Sequence, residues 1–494
     1  MNTWWRDLAW SLILVGTLLS VRLGMPSDLW KRSQPYTLRA TTDILVEGHW
    51  VVPHTVDDLP LAKPPLINWL SVPFVSALDF HPWSFRLVPA FASVVTFLFT
   101  MRLVRQYGGG DNSALAAAML MGATWLGWKG LFLVRPDPVL LSALTVGFFG
   151  VQRRLEGDRL WGGVAVGLAV AIGLLTKSVA VAPLVVLAIF APRFVRQPRH
   201  LWAPLPVRIL AFSLLPFMSW VLAAELAEPG FPLRVLFGEE IFGRVTGTGA
   251  EAAGRKPMDI VLGVWKLPLH FFVRTLPLSL FGLLALRRLA PNDPARLLVW
   301  FVVLHLLVFG FSASRRADWM LPALPALAVL VGARLLPCWR RPVAHCGLIS
   351  GVALAAMAGN EYWQAPRWAN AIDQFAGVTK REIAQFPAPV LILGNDRNHL
   401  VGVLGVGGPD RAIPIDLESL EIWLEQHVAP GGKFWVVTGD RAVFGMPAPV
   451  LPADGLDQWP QLDGKIDWKL EVDHGESQYM WPGALRLGLA QRRQ

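Results

Sequence analysis

Charged residues are scarce in this chain, and so is cysteine. Only 16% of the 494 residues are Asp, Glu, Lys or Arg, whereas soluble domains carry about 25%. Hydrophobic residues make up 53% and the mean hydropathy is +0.43, which excludes a soluble enzyme. The two cysteines, Cys338 and Cys346, are too few for a disulfide framework, and we expect no metal site from them.

Long apolar runs predict a helical membrane protein. They approach the roughly 17 to 25 residues that cross a bilayer as a helix, and none alternates as membrane β-strands do. The runs lie near 7–24, 84–104, 113–129, 137–152, 160–176, 178–196, 206–226, 264–286, 295–313, 319–336 and 344–360. We therefore expect a mainly α, polytopic membrane helical bundle of about eleven spans, the first an uncleaved signal anchor.

Paired arginines predict the orientation of the chain. Connections between successive spans alternate between the two sides of the membrane. Those that carry the arginines all fall on one side, at 102–105, 153–154, 193–199, 287–288 and 340–341. The positive-inside rule assigns that side to the cytoplasm. An odd number of spans then puts the C-terminal segment outside, on the periplasmic or extracellular face.

Two outward segments are too long to be turns, at about 26–83 and 227–266. The first contains PYTLRATTDILVEGHW, which predicts a short amphipathic helix ended by Gly48, with Pro53 beyond it. The next stretch, KPPLINWLSVPFVSAL, is interrupted by prolines, which favours an outward interface helix over a full span. We assign these segments to a transmembrane domain over residues 1–361.

From residue 362 the composition becomes that of a small soluble α/β domain, which we assign to 362–494. PVLILG and KFWVVTGD predict strands, LESLEIWLEQ predicts an amphipathic helix, and WKLEVDHG predicts an edge strand. The glycine-rich GVLGVGGPD lacks the spacing of a dinucleotide-binding fingerprint. This segment carries no catalytic constellation of its own.

The formal charge of +9 does not indicate nucleic-acid binding, because the basic residues are scattered between apolar runs. Six of them nevertheless map to the outward face, namely Lys63, Arg135, Lys177, Arg244, Arg315 and Arg316. Cations at the outer interface, accompanied by few carboxylates, are typical of a site for an anionic lipid headgroup. Snorkelling or local ion pairing is the alternative interpretation.

Several motifs follow one another in a fixed order through the transmembrane domain. They are G-x-W at Gly48, KPPLxxW at Lys63, WSxRL at Arg86, RPDPxLL at Asp137, LLTKS at Lys177, FGEExxGRVTG at Arg244 and DWMLPALPALA at Trp319. In this order they resemble the bacterial glycosyltransferases of the polyprenyl-phosphate-dependent, GT-C type. That superfamily includes protein O-mannosyltransferases and the aminoarabinose transferases that modify lipid A.

The resemblance implies a multi-pass enzyme of the bacterial inner membrane. It would transfer a sugar from a polyprenyl-phosphate donor to a lipid, glycan or protein acceptor at the outer face. Lys63 matches the family's phosphate-contacting lysine, and Arg244 matches a basic residue in the same role. The predicted substrate-binding residues are Lys63, Arg86, Arg244, Lys177, Arg315, Arg316 and Trp319. No cofactor is implied.

The acidic pair of the family is absent from this chain. An Asp-Glu pair normally stands about fifteen residues before the glycine of G-x-W, where this chain has Ser33 and Gln34. A serine is not a general base without an activating partner. Another carboxylate can take this role, and the candidates are Asp43, Asp57, Asp58 and Asp137, of which we select Asp137 and Asp43 as catalytic.

Two alternatives to a replacement base stay open. The acceptor can already be an anion, such as a phosphate, which needs little deprotonation. Alternatively, the protein binds a lipid-linked sugar without transferring it. A lipid transporter is less favoured, because the sequence has neither inverted repeats nor unwound spans with midplane polar residues.

A metal ion is not expected. Ala62 precedes Lys63, and the carboxylates and histidines show no ligand spacing along the chain. His49 and His54 lie five residues apart in a predicted extended loop, and we interpret them as surface histidines.

Overall fold

The computed structural model describes residues 3–23, 34–54, 60–61, 63–78, 83–194, 207–243, 265–310, 317–364, 388–393, 413–414, 423–439, 466–473 and 485–492. These residues are mostly helical. The α-helices are α1 Thr3–Leu23, α2 Gln34–Val46, α3 Leu66–Ala77, α4 Ser84–Gln106, α5 Asp111–Gly122, α6 Trp125–Gly130, α7 Pro136–Leu155, α8 Arg159–Lys177, α9 Ala182–Phe194, α10 Val207–Ala227, α11 Lys266–Arg274, α12 Leu278–Leu286, α13 Arg296–Gly310, α14 Leu324–Arg334 and α15 Pro342–Gln364.

Shorter and tighter helical segments connect some of these helices. Three are 3₁₀-helices, at Ser178–Val181, Ala317–Ala323 and Leu336–Cys338. Pro232–Gly243 forms a π-helix. The strands are β1 Val390–Leu393, β2 Ile413–Pro414, β3 Lys433–Gly439, β4 Ile466–Asp473 and β5 Leu485–Arg492.

The chain divides into two compact units. The first, the helical unit, comprises Met1–Leu23, Ala62–Leu70 and Arg86–Ala358. The second comprises Gly24–Leu61, Ser71–Phe85 and Gly359–Gln494. The second unit contains strands β1 to β5 together with α2.

Within the described residues, five helices are long and apolar enough to cross a membrane. They are Ser84–Gln106, Arg159–Lys177, Arg208–Ala227, Asp318–Cys338 and Pro342–Asn360. Helices α11 and α12 meet the same criteria only when taken together, and they are bent by 107°, as in a broken span or a re-entrant loop. The prediction of a polytopic helical membrane protein is confirmed in this form, while the count of about eleven spans stays a prediction.

Buried ion pairs join α1 to α4 within the helical unit. Asp7 on α1 is fully buried and accepts a 2.7 Å hydrogen bond from Arg105 on α4. Arg102, one turn earlier, lies 3.3 Å from the same carboxylate. Because a carboxylate without a partner is costly in an apolar interior, these contacts hold α1 in one register against α4.

Helices α7 and α8 form a tightly packed hairpin. A Cβ atom added at Gly150 on α7 would lie 2.7 Å from the carbonyl oxygen of Gly162 on α8. A Cβ atom added at Gly162 would in turn lie 2.6 Å from the carbonyl oxygen of Gly150. Only glycine permits this close approach of two backbones, as in many membrane helix pairs. The hairpin brings the first residues of α7 beside the last residues of α8.

The predicted helix in the first outer segment is confirmed. It is α2, with Leu38 and Ile44 buried. Gly48 adopts a φ of +78° and donates its amide to the carbonyl oxygen of Asp43 at 3.2 Å, which ends the helix as predicted. The next predicted helix is α3, whose 12 residues are fewer than the roughly 20 that a span requires.

A five-stranded sheet has the strand order β2–β1–β3–β5–β4. β1 is parallel to β2 and β3, while β5 is antiparallel to β3 and β4. The three strands predicted from sequence correspond to β1, β3 and β4, and β4 lies at an edge as expected. The short β2 and the strand β5 were not predicted. Of the predicted LESLEIWLEQ helix, residues 423–426 are described and are helical.

Candidate functional site

The site begins at the N-terminus of α7, in the sequence Arg-Pro-Asp. Arg135 is extended, Pro136 occupies the first helical turn, and Asp137 is the acidic residue of that turn. Proline is suited to this position because it has no amide hydrogen to leave unpaired. The helix dipole favours a carboxylate there. Asp137 thus stands at the start of a 20-residue helix, and its position at the outer start of a membrane span stays a prediction.

Two cations hold the Asp137 carboxylate. Lys177 Nζ lies 2.7 Å from Asp137 Oδ1, and Arg135 Nε lies 3.2 Å from Oδ2. Lys177 is the last residue of α8, so the α7–α8 hairpin creates the contact. The side chains of Arg135 and Asp137 are 4% and 3% exposed, which makes this a nearly dry ion pair.

Asp318 and Trp319 complete the site from the 3₁₀-helix Ala317–Ala323. Arg135 Nη1 donates a 2.8 Å hydrogen bond to Asp318 Oδ2, and both side chains are buried. The Trp319 ring is buried, and its centroid lies 5.9 Å from Lys177 Nζ. Sequence reasoning selected Trp319 and missed Asp318. An acidic residue inside the apolar DWMLPALPALA stretch was the available signal.

Lys63 acts on the same carboxylate. Its charge contributes to the electrostatic environment of Asp137, together with the charges of Arg135 and Lys177. Arg86, the basic residue selected from the WSxRL motif, is buried and points Nη1 at the carbonyl oxygen of Phe132, 3.4 Å away. That contact supports the turn just before Arg135.

The structure therefore brings together four of the residues selected from the sequence, namely Lys63, Asp137, Lys177 and Trp319. Arg135 and Asp318 join them. The remaining selected cations, Arg244, Arg315 and Arg316, lie outside the described residues, as do Ser33, Asp57 and Asp58.

Positive charge exceeds negative charge in this cluster. Its described members are three cations, Lys63, Arg135 and Lys177, and two carboxylates, Asp137 and Asp318. The balance is 3 − 2 = +1 in a setting with little water. A site with this surplus is suited to an anion, because fixed cations interact strongly with added negative charge where the solvent is excluded.

Asp43, the second selected carboxylate, belongs to a different group in the second compact unit. Its side chain is 1% exposed, and its Oδ2 atom accepts the His54 amide at 2.8 Å. His49 Nδ1 lies 3.2 Å from the same oxygen and 3.1 Å from His54 Nδ1. His49, interpreted from the sequence as a surface histidine, is 42% exposed, and the contacts with Asp43 and His54 were not predicted.

Several known proteins resemble the chain in sequence. Residues 62–222 match the family model described as dolichyl-phosphate-mannose-protein mannosyltransferase. The undecaprenyl phosphate-alpha-4-amino-4-deoxy-L-arabinose arabinosyl transferase of Pseudomonas savastanoi is 24% identical over 72% of this chain and 66% of its own length. A Proteus mirabilis transferase of the same name is 26% identical over 63% of this chain and 56% of its own. The matched segments thus span less than two thirds of these relatives.

The fold also has a counterpart among solved structures. The crystal structure of ArnT from Cupriavidus metallidurans bound to undecaprenyl phosphate superposes with a TM-score of 0.68 at 15% identity. The superposition covers 99% of this chain and 98% of that one. Together with the sequence matches, this fold supports the resemblance to the polyprenyl-phosphate-dependent glycosyltransferases of the GT-C type.

Proposed function

We propose that this protein transfers a sugar from a polyprenyl-phosphate donor to an acceptor at the outer face of a bacterial inner membrane. The observation that carries the proposal is the buried cluster around Asp137, in which Lys177 and Arg135 contact Asp137, Arg135 also contacts Asp318, and the charge of Lys63 adds to the positive potential at Asp137. The names of the curated relatives include an undecaprenyl-phosphate-linked sugar, which supports a donor of that class.

The chemistry of the donor fits the surplus of positive charge. A sugar linked to polyprenyl phosphate is a phosphodiester with one negative charge. When the bond from the sugar to the phosphate oxygen breaks, the lipid leaves as a phosphate monoester of about −1.5 to −2. Negative charge therefore grows during the reaction, and fixed cations in a dry site stabilise the transition state more than the ground state.

We assign the donor phosphate to Lys63 and Lys177, and we keep Arg86, Arg244, Arg315, Arg316 and Trp319 as proposed substrate-binding residues. Arg135 is added to this set because it touches both carboxylates of the cluster. Its proposed task is to keep the site positively charged while Asp137 and Asp318 hold it in place.

Asp137 and Asp43 remain the proposed catalytic carboxylates, with different tasks. Asp137 is engaged by Lys177 and Arg135, so we propose that it positions cations and accepts a hydrogen bond from substrate rather than a proton. Asp43 has a more distant arginine, Arg39 at 3.6 Å, and its other contacts are with His49 and the amide of His54. We propose that Asp43 acts on the acceptor side, which is a lipid, glycan or protein.

The topology belongs to the same proposal. We propose about eleven spans, outward interface helices in the loops at 26–83 and 227–266, and a soluble α/β domain over 362–494 on the periplasmic side. The arginine-rich connections support this orientation, and the strands β1 to β5 support the α/β character of the C-terminal segment.

A transfer assay in membranes tests the proposal. Membranes containing the chain receive undecaprenyl phosphate carrying radiolabelled 4-amino-4-deoxy-L-arabinose or mannose, and label is followed from the lipid donor into acceptor fractions. Lys177→Met should slow transfer roughly tenfold to a hundredfold, since a charge-assisted contact contributes about 1.5 to 3 kcal/mol. Lys129→Met is the matched control, because Lys129 lies over the Trp125 ring and outside the cluster.

The second candidate function is binding of a lipid-linked sugar without transfer, which the absence of the acidic pair at Ser33 and Gln34 favours. The same labelled donors separate the two. A folded protein that retains donor through Lys177 but releases no sugar from it would support a binding protein and contradict transfer.

A further inference from the structure

Three potential metal ligands converge at the C-terminal end of α2. Asp43 lies on the helix, and His49 and His54 lie on the segment that follows it. One atom from each side chain lies within 4.8 Å of the other two. The helix-ending turn at Gly48, with its φ of +78°, returns the chain so that His49 reaches back to Asp43.

The backbone of the segment fixes this arrangement. His54 donates its amide to Asp43 Oδ2 at 2.8 Å and forms a bridge with Pro60. The amide of Leu61 donates to the carbonyl oxygen of Pro53 at 2.8 Å. The two imidazole rings lie edge to face, with their centroids 4.5 Å apart.

Hydrogen bonding alone does not satisfy both contacts of the His49 ring nitrogen. His49 Nδ1 faces both Asp43 Oδ2, at 3.2 Å, and His54 Nδ1, at 3.1 Å. A ring nitrogen carries at most one hydrogen, so one hydrogen has to be shared between two acceptors, or two lone pairs face each other. A cation placed among the three atoms would attract all of them at once.

The spacing matches a coordination shell. Zinc binds imidazole nitrogen and carboxylate oxygen at about 2.0 to 2.2 Å, and tetrahedral ligands at that radius are about 3.3 to 3.6 Å apart. Two of the observed separations, 3.1 and 3.2 Å, are slightly shorter than this range, and the third is within 4.8 Å. Arg39 approaches the other carboxylate oxygen, Oδ1, at 3.6 Å, which leaves Oδ2 directed at the histidines.

We infer that Asp43, His49 and His54 form a binding site for a divalent transition-metal ion, with Zn²⁺ as the best match to two imidazoles and one carboxylate. The metal would hold the segment 49–54 to the end of α2. His49 is 42% exposed, so a fourth position is open to water or to another oxygen ligand.

The metal site has a consequence for the reaction that rests on the proposed function. An oxygen ligand bound to Zn²⁺ loses its proton at a lower pH than the free group does. A hydroxyl acceptor in the fourth position would then need no strong base, which suits a chain with Ser33 and Gln34 in place of the acidic pair.

Metal binding is tested on the full-length protein purified in detergent and stripped with a chelator. Zn²⁺ is titrated against a chromophoric competitor, and bound metal is counted after dialysis. We expect about one tight site per chain, weakened more than about a hundredfold in His49→Ala and His54→Ala, because even changes to the partners of metal ligands cost 10- to 100-fold. His427→Ala is the control, since His427 is exposed and lies on another segment of the same unit.

Two further measurements make the outcome decisive. Wild type and His427→Ala should gain thermal stability when Zn²⁺ is added to the chelator-stripped protein, and His49→Ala and His54→Ala should gain none. Co²⁺ in wild type should give the visible spectrum of a tetrahedral N/O site. Absence of tight Zn²⁺ binding, or equal binding in His49→Ala and His54→Ala, would overturn the site. Neither result depends on sugar transfer, so failure of the proposed function is recognised separately.

Discussion

The guanidinium group of Arg135 lies 2.8 Å from the carboxylate of Asp318, although 183 residues separate them along the chain. The Arg135 side chain is 4% exposed and that of Asp318 is 7% exposed. Arg135 also contacts Asp137. One buried arginine thus links the start of α7 to the 3₁₀-helix before α14, and the position of the cationic site depends on that link.

Removing the Asp318 charge should therefore damage both stability and transfer. Asp318→Asn leaves Arg135 with one carboxylate, and breaking a buried pair typically costs about 3 to 5 kcal/mol. We expect a lower melting temperature and a loss of transfer per folded molecule, measured by thermal unfolding in detergent and by the donor assay. Asp293→Asn is the control, because Asp293 pairs with Arg334 away from the site. Equal activity of the two variants after correction for folded protein would separate Asp318 from the site.

Local signals explain why Asp137 and Lys177 were predictable from the sequence. Proline and aspartate after an extended arginine are an N-terminal helix signature, so Asp137 could be placed at the start of α7 from the sequence. The position of Lys177 at the end of α8 could be predicted from the length of the apolar run before it. Two consecutive antiparallel helices then bring these residues to one end.

Tertiary contacts account for what the sequence did not predict. The contact of Arg135 with Asp318 depends on the packing of segments far apart in the chain. His49 and His54 could not be recognised as a pair, because their approach depends on the Gly48 turn and on the hydrogen bond from the His54 amide to Asp43. Neither the contact of Arg135 with Asp318 nor the pair of histidines has a recognisable spacing along the chain.

Lys63 should be required for use of the donor rather than for folding. We expect Lys63→Ala to weaken donor use roughly tenfold to a hundredfold, in line with the loss of one charge-assisted hydrogen bond. Lys63→Arg keeps the charge and should retain part of the activity. Donor titrations in membranes measure both. Normal transfer by well-folded Lys63→Ala protein would remove Lys63 from the site.

Close packing of α7 on α8 should matter for the site. Gly150→Leu would force the helices apart, since a Cβ at this position already meets the carbonyl oxygen of Gly162 at 2.7 Å. Overpacking typically costs about 1 to 3 kcal/mol. The displaced hairpin should also weaken the contact of Asp137 with Lys177. Gly351→Leu on α15 is the control, because nothing lies within 4 Å of a Cβ there. Matching melting temperatures for the two variants would contradict this account.

The orientation of the chain can be tested with reporter fusions. Alkaline phosphatase is active only after export, so a fusion after Tyr362 should be active and one after Arg154 should be inactive. Tyr362 follows the last span-length helix, and Arg154 lies near the end of α7 beside the paired arginines. The opposite pattern would reverse the membrane orientation and place the Asp137 cluster on the cytoplasmic side.

Substitutions that restore the acidic pair test which group receives the proton of the acceptor. Ser33→Asp with Gln34→Glu recreates the family pattern, and a positioned base contributes typically about 10² to 10⁴ in rate. Gln34 is fully buried, so the double variant also buries a new charge, and Ser33→Asp alone is the better-tolerated companion.

If transfer to hydroxyl acceptors is limited by a missing base, Ser33→Asp should accelerate it. If Asp43 already supports acceptor activation, directly or through a metal, the added carboxylate should bring no gain, and Asp43→Asn should abolish transfer. No gain from Ser33→Asp together with full activity of Asp43→Asn would contradict both and leave an acceptor that is already ionised.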